Sequence, residues 1–328
     1  MKKFTAILTA VVLCLGLTSC QGITASKKLS PVEVVNTFME AFQQGNYEGI
    51  KPYISADNPL HLFFAGIDET KGGDLSAAYQ TLYEKLKTVT FTAEAVEGEE
   101  TWGAVNVTLS VPDFSEELHT AMAEALVEQV ENSSTAFHDM PAWISTAVQS
   151  EKTAGQETMK IYVGNRDGAE VMDTNTNRDF FEMLCGGLEP YLDASMTTCT
   201  FPEGDVWEIA AHGDEIVAMI NTQKLEAGAE YSAEELEAFA PFYIEQYDGM
   251  DGVTANAKVQ DGVLLTAFGV DMANASTTAL ENMGIISDRI TSGSMGWLSL
   301  DSTIKGFESD GAECVTEYFK TMETEQEE

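Results

Sequence analysis

Ser302-Thr303-Ile304-Lys305 has the S-x-x-K spacing that sets a lysine amine one helical turn from a serine hydroxyl. An amine so placed can take the hydroxyl proton and leave an acyl-accepting nucleophile. The companion patterns S-D-N and K-T-G are absent, so the stretch reads as a surface lysine beside a helix-capping serine. Ser292-Gly293-Ser294-Met295-Gly296 misses the G-x-S-x-G elbow because it opens on serine, and it reads as a loop. His61, His119, His138 and His212 are scattered and none is paired by spacing with a serine or cysteine, which makes them surface or boundary residues. Asp248-Gly249-Met250-Asp251-Gly252 lacks the alternating acids and final glutamate of a calcium loop and reads as a double turn. With no C-x-x-C and no Cys/His cluster, zinc and redox chemistry are disfavoured. The residues therefore nominate no catalytic group, no metal ligand and no cofactor.

The cysteine at position 20 carries a different chemistry. Met1-Lys2-Lys3 precedes an apolar run from Phe4 to Leu17, which suits a secretory signal of the usual ~7–15 apolar residues. The run falls short of the ~20 residues needed to cross a bilayer. Leu17-Thr18-Ser19-Cys20 follows it, and this resembles the bacterial lipobox. The resemblance implies acylation of the Cys20 thiol (diacylglycerol, with palmitate-type chains) and cleavage just ahead of it. Two or more chains anchor a protein stably, whereas one holds it marginally. Residues 1–19 are then the signal peptide and 20–29 a tether. Cys185, Cys199 and Cys314 remain, an odd number for an exported chain. A bridge between Cys199 and Cys314, leaving Cys185 free, is one arrangement; three free thiols is the other.

At 328 residues the chain suggests two domains on a prior of ~150 residues each, and 44% hydrophobic residues suffice for sizeable cores. The net charge of -37, from 54 acidic against 17 basic residues, repels phosphate backbones and argues against nucleic-acid binding. Such spread acidity is chiefly a solubility feature. Residues 319–328 form an acidic tail.

Elements to position any site follow from caps and periods. Ser30-Pro31-Val32-Glu33 is a capping box with proline at the first helical position, and Val34, Val35, Phe38 and Phe42 recur at helical spacing. A short helix from Tyr47, another over Leu75 to Leu86, a hairpin through Val89–Ala95 and Ala104–Val111, and a long helix from Ser115 to Val130 follow. A helical stretch near Ala142–Val148 comes next. Strands over Thr158–Val163 and Ala169–Met172 flank the turn Asn165-Arg166-Asp167-Gly168, before a helix over Asp179–Leu188. "SPVEVVNTFMEAFQQGNYEGIKPYIS", "GEETWGAVNVTLSVPDF" and "MKIYVGNRDGAEVMD" resemble the cystatin-like, nuclear-transport-factor-2-like modules of bacterial lipoproteins. That resemblance covers residues 30–188 and implies a bent sheet wrapped by helices. It departs in having Ala169-Glu170 where tryptophan often follows the final Asp-Gly turn. The fold grants no chemistry by itself.

In the second half, strands are expected at Cys199–Phe201, Trp207–Ala211, Glu215–Ile220, Val253–Val259 and Val263–Val270. Helices are expected from the capping box Ser232-Ala233-Glu234-Glu235 to Tyr247, at Thr277–Asn282 and at Asp301–Glu308. "HGDEIV", "SAEELEAFAPFYIEQYDGMDGV", "GVDMANASTTALENMG" and "LSLDSTIKGFESDGAECV" are similar to the YehR-type bacterial lipoprotein domain, placed here at 189–318. That family carries no assigned activity, so no site residue transfers. The fold class is α+β: two domains, each an antiparallel sheet packed with helices. A pocket between sheet and helices of the first domain would be lined by Phe38, Phe42, Tyr79, Tyr83, Phe91 and Trp102, unless these rings fill the core. The functional expectation is a lipid-anchored protein on the extracytoplasmic face of a bacterial membrane. It would bind a small apolar or amphipathic ligand, or another envelope component such as a protein, rather than turn over a substrate; an envelope hydrolase and a structural scaffold are the rivals.

Overall fold

The hydroxyl of Ser30 accepts from the Glu33 amide at 3.3 Å while the Glu33 carboxylate accepts from the Ser30 amide at 2.8 Å, so the capping box starts α1 (Pro31–Gln43). In the computed structural model the described residues are 29–68, 75–98, 103–150, 155–166, 169–188, 191–192, 194–228, 231–286 and 298–318. The expected signal peptide (residues 1–19), Cys20, Trp102, the Ser292–Gly296 motif and the acidic tail lie outside them. After α1 come α2 (Tyr47–Ile50), a 3-10 turn, α3 (Leu60–Ile67) and α4 (Ser76–Leu86). α3 is a helix the sequence reading does not include: LHLFFAGI is only eight residues long and apolar at nearly every position, and a short apolar run of that kind does not by its pattern separate a buried helix from a buried strand. β1 (Thr90–Ala95), β2 (Ala104–Val111) and β3 (Gly155–Tyr162) form an antiparallel sheet in the order β1-β2-β3, with α5 (Ser115–Asn132) and α6 (Met140–Gln149) inserted before β3.

Either side of the turn expected at Asn165–Gly168, whose residues 167 and 168 lie outside the described ones, the short strands β4 (Gly164–Arg166) and β5 (Ala169–Val171) pair with each other. β3 pairs with β2 instead of entering that hairpin. Asn177 helps to hold β3 there, its amide bridging both the Tyr162 N–H at 2.7 Å and the Tyr162 carbonyl at 3.0 Å. α7 (Arg178–Leu184) follows.

The second half is a six-stranded antiparallel sheet, in the order β11-β6-β7-β8-β10-β9. It consists of β6 (Ala194–Thr200), β7 (Val206–His212), β8 (Glu215–Glu226), β9 (Val253–Gln260), β10 (Val263–Asp271) and β11 (Glu313–Tyr318), with α8 (Ala233–Tyr247), α9 (Thr277–Asn282) and α10 (Leu300–Ser309) between them. Successive side chains of a strand point to opposite faces. In β10, Phe268 turns toward α8 and stacks on Tyr247 at 5.2 Å, while Gly269 turns toward α5. Tyr243, Leu280 and Leu300 join Phe268 in one cluster on the α8 side. On the other side α5 lies across β8, β9 and β10, and one core cluster runs from Val34 of α1 to Ile220 of β8. A Cβ on Gly269 would stand 2.6 Å from Leu126 Cδ2 and 3.0 Å from Val130 Cγ2, so glycine lets the helix sit this close.

Polar pins reinforce that contact. His119 Nε2 meets the buried Asp271 carboxylate at 3.0 Å, and His138 and Gln129 both bond to Glu208. Asn256 Nδ2 donates to the Glu131 carbonyl at 2.7 Å. Cys199 and Cys314 face each other in the β6–β11 register and form a disulfide; Cys185 is buried and takes part in no disulfide. Among the described residues no helix is long and apolar enough to cross a membrane.

Candidate functional site

The aromatics expected around a pocket are placed in the core. Phe38 packs on Phe180 at 5.9 Å and Phe181 at 6.1 Å. Phe42 meets Phe64 and Tyr83 at 6.0 Å, and Tyr79 meets Phe63 at 6.0 Å. The Tyr83 hydroxyl donates to the Phe42 carbonyl at 2.5 Å, and burial pushes its pKa up to about 12. Phe91 is half-buried against the same cluster. None of these rings lines the cavities described below. The physical reason is α3: its Phe63 and Phe64 enter the space between α1 and α4, so the rings pack on one another.

Of the sequence motifs, Ser302 gives its N–H to the true cap, Ser299, at 3.2 Å, and Lys305 Nζ stands 3.5 Å from Asp301. The S-x-x-K spacing is thus spent on helix surface. His61 donates from Nε2 to the Ser55 carbonyl at 2.9 Å, which leaves Nδ1 to accept from the Tyr47 hydroxyl at 2.6 Å. Gly249 and Gly252 both have positive φ, as the double turn requires. Among the described residues no group of three or more histidine, cysteine or carboxylate side chains converges where a metal ion could sit.

What the fold assembles instead is a groove where α5, β3, α7 and the end of β7 meet. A cavity of about 830 Å³ is walled by Asp113 and Glu116 at the start of α5, Glu157 on β3, Arg178, Asp179 and Glu182 on α7, and His212. A second, of about 350 Å³, shares Arg178, Glu182 and His212 and adds Asp57 and Thr174, so the two run together. Gly187 makes the wall possible. Its φ is +82°, and a Cβ there would meet Ser115 N at 2.5 Å and Asp113 Oδ1 at 2.8 Å. Beside it the Phe114 N–H donates to the Gly186 carbonyl at 3.0 Å, and the Ser115 N–H to Asp113 at 2.9 Å.

Arg178 is engaged with Glu182 one turn along α7. The carboxylates of Asp57, Asp113, Glu116, Glu157 and Asp179 therefore dominate the field. The Asp57 carboxyl is held below its usual range, first by its hydrogen bond with Ser55. Such walls favour a cationic group by charge and hydrogen bonding, without the convergence a chelated metal needs. A third cavity, of about 250 Å³, lies between His138 and the outer rows of β6 and β11. The hydrogen bond to Glu208 raises the His138 pKa more than burial lowers it.

The groove was invisible in the sequence because its members come from separate elements with no fixed spacing. The one available signal was Gly186-Gly187 after the α7 pattern, which marks a close approach but not what it approaches.

No family model matches the chain, and no curated protein matches it. One solved structure that is similar, an NMR structure of a protein from Streptococcus pneumoniae TIGR4, shares 16% identity. It covers 37% of this chain and 84% of that one at a TM-score of 0.28, a likeness that carries no argument.

Proposed function

We propose that this is a lipid-anchored binding protein of the bacterial envelope, held at the extracytoplasmic face through Cys20, whose groove takes a small ligand bearing a cationic group. The observation that carries the ligand class is the acidic wall of Asp113, Glu116, Glu157 and Asp179 around a volume of about 830 Å³. That volume lies within the ~300–1,000 Å³ range of small-molecule sites. The anchor rests on the lipobox resemblance at Leu17–Cys20.

Calorimetric titration with a linear diamine and with a dicarboxylate of equal length tests the ligand class. The diamine binds and the dicarboxylate does not. Glu116→Gln with Glu157→Gln weakens the diamine roughly tenfold, as expected when close opposite charges are removed from a partly screened site. Equal binding of both probes, or indifference to the double substitution, rejects the reading. Intact-mass analysis of the native product tests the anchor: a chain that begins at Cys20 with acyl mass is expected, and an unmodified thiol rejects it.

A further inference from the structure

α8 touches the sheet along one narrow stripe. Leu236 and Tyr243 are its buried residues, with Ala240 and Tyr247 half-buried on the same side. Phe239 and Phe242, three residues apart and hence neighbours on the helix surface, stand 50% and 68% exposed. Tyr231, just ahead of the Ser232 cap, and Leu225, near the end of β8, are exposed as well. Leu225 pairs across the sheet with Leu264, and so lies on the face that α8 covers. Isolated exposed apolar residues need no explanation, but a set gathered on one helix and its sheet face marks a contact surface.

The charge around the set is of one sign. Between Lys224 and Lys258 the chain has no lysine, arginine or histidine, while Glu226, Glu234, Glu235, Glu237, Glu245 and Asp248 are exposed there. The two bounding lysines do not offset this. Both pair with Leu265, whose neighbours in β10 alternate, so they project from the sheet face opposite Leu225 and α8. An anionic membrane surface or a second copy of this acidic chain would meet like charge at this patch.

We propose that the outer face of α8 docks a cationic amphipathic segment of a partner protein, its apolar side chains on Phe239 and Phe242 and its lysines or arginines against Glu234 and Glu245. This surface is separate from the acidic groove and stands or falls independently of it.

The test measures fluorescence anisotropy of two labelled amphipathic helical peptides with the same apolar face, one flanked by lysines and one by glutamates, against the full-length chain. The lysine peptide is expected to bind and the glutamate peptide not to. Phe239→Ser with Phe242→Ser leaves the charge untouched and weakens binding roughly thirtyfold, the scale of truncating central interface aromatics. Glu234→Gln with Glu245→Gln weakens it roughly fivefold and flattens its salt dependence. Unchanged thermal unfolding of both variants excludes loss of fold. Binding indifferent to the phenylalanine pair overturns the proposal, since only diffuse charge would then be acting. Self-association lost in that variant on sedimentation overturns it in favour of a second copy. Flotation with phosphatidylglycerol vesicles that falls in the same variant overturns it in favour of a membrane surface, an acyl anchor contributing equally to both chains.

Discussion

The Cys199–Cys314 bridge closes a loop of 115 residues and staples the edge strand β11 to β6. Opening it releases the unfolded chain from that closure, which in the chain-entropy account is worth about 4.8 kcal/mol at 25 °C. Against the 5–15 kcal/mol typical of folded domains, that loss is a third or more of the whole. With a urea slope near ~3 kcal/mol/M, the unfolding midpoint falls by about 1.6 M. The assay is urea unfolding followed by circular dichroism, on the oxidised chain, on the chain held in reductant, and on Cys199→Ala with Cys314→Ala. The last two should coincide, and reductant should leave the alanine variant unmoved. Thiol titration of the unfolded, unreduced body (residues 21–328) should find Cys185 alone. A reduced midpoint within about 0.3 M of the oxidised one, or three titrating thiols, would refute both the staple and its entropic accounting.

Gly269→Val inserts atoms where a Cβ alone already stands 2.6 Å from Leu126, and overpacking of this kind costs about 2–3 kcal/mol. Adding Leu126→Ala should recover part of that loss rather than add to it, and strict additivity in denaturant unfolding would show that α5 does not press on this point. His138 has a pKa raised above the unfolded value, first by its hydrogen bond to Glu208. Its contribution is therefore full below about pH 6.5 and fades as pH climbs through the raised native value. His138→Gln should accordingly cost more stability at about pH 5.5 than at about pH 9, and an equal cost at both would remove the ion pair from the account.

Local grammar was legible wherever the cause is local. The boxes at Ser30–Glu33 and Ser232–Glu235 open α1 and α8 because hydroxyl, carboxylate and amide lie within three residues of one another. The alternation in Ala104–Val111 announces β2 because one of its faces is buried and the other is not. β6 extends back to Ala194, further than expected, because elements on both sides of the sheet bury it and remove the alternation.

Charge sign and an α+β element set are properties of composition and short-range order, and the chain alone determines them; the chemistry proposed for Cys20 is likewise read from local sequence. Which faces meet is another matter. That α5 settles on β10 depends on Gly269 coming beneath Leu126, and that six carboxylates share a groove depends on α5, β3, α7 and the Asp57 loop ahead of α3 converging there. Neither is encoded at any fixed spacing. Contacts between residues a hundred or more positions apart follow from how buried surfaces fit together, which only tertiary packing decides.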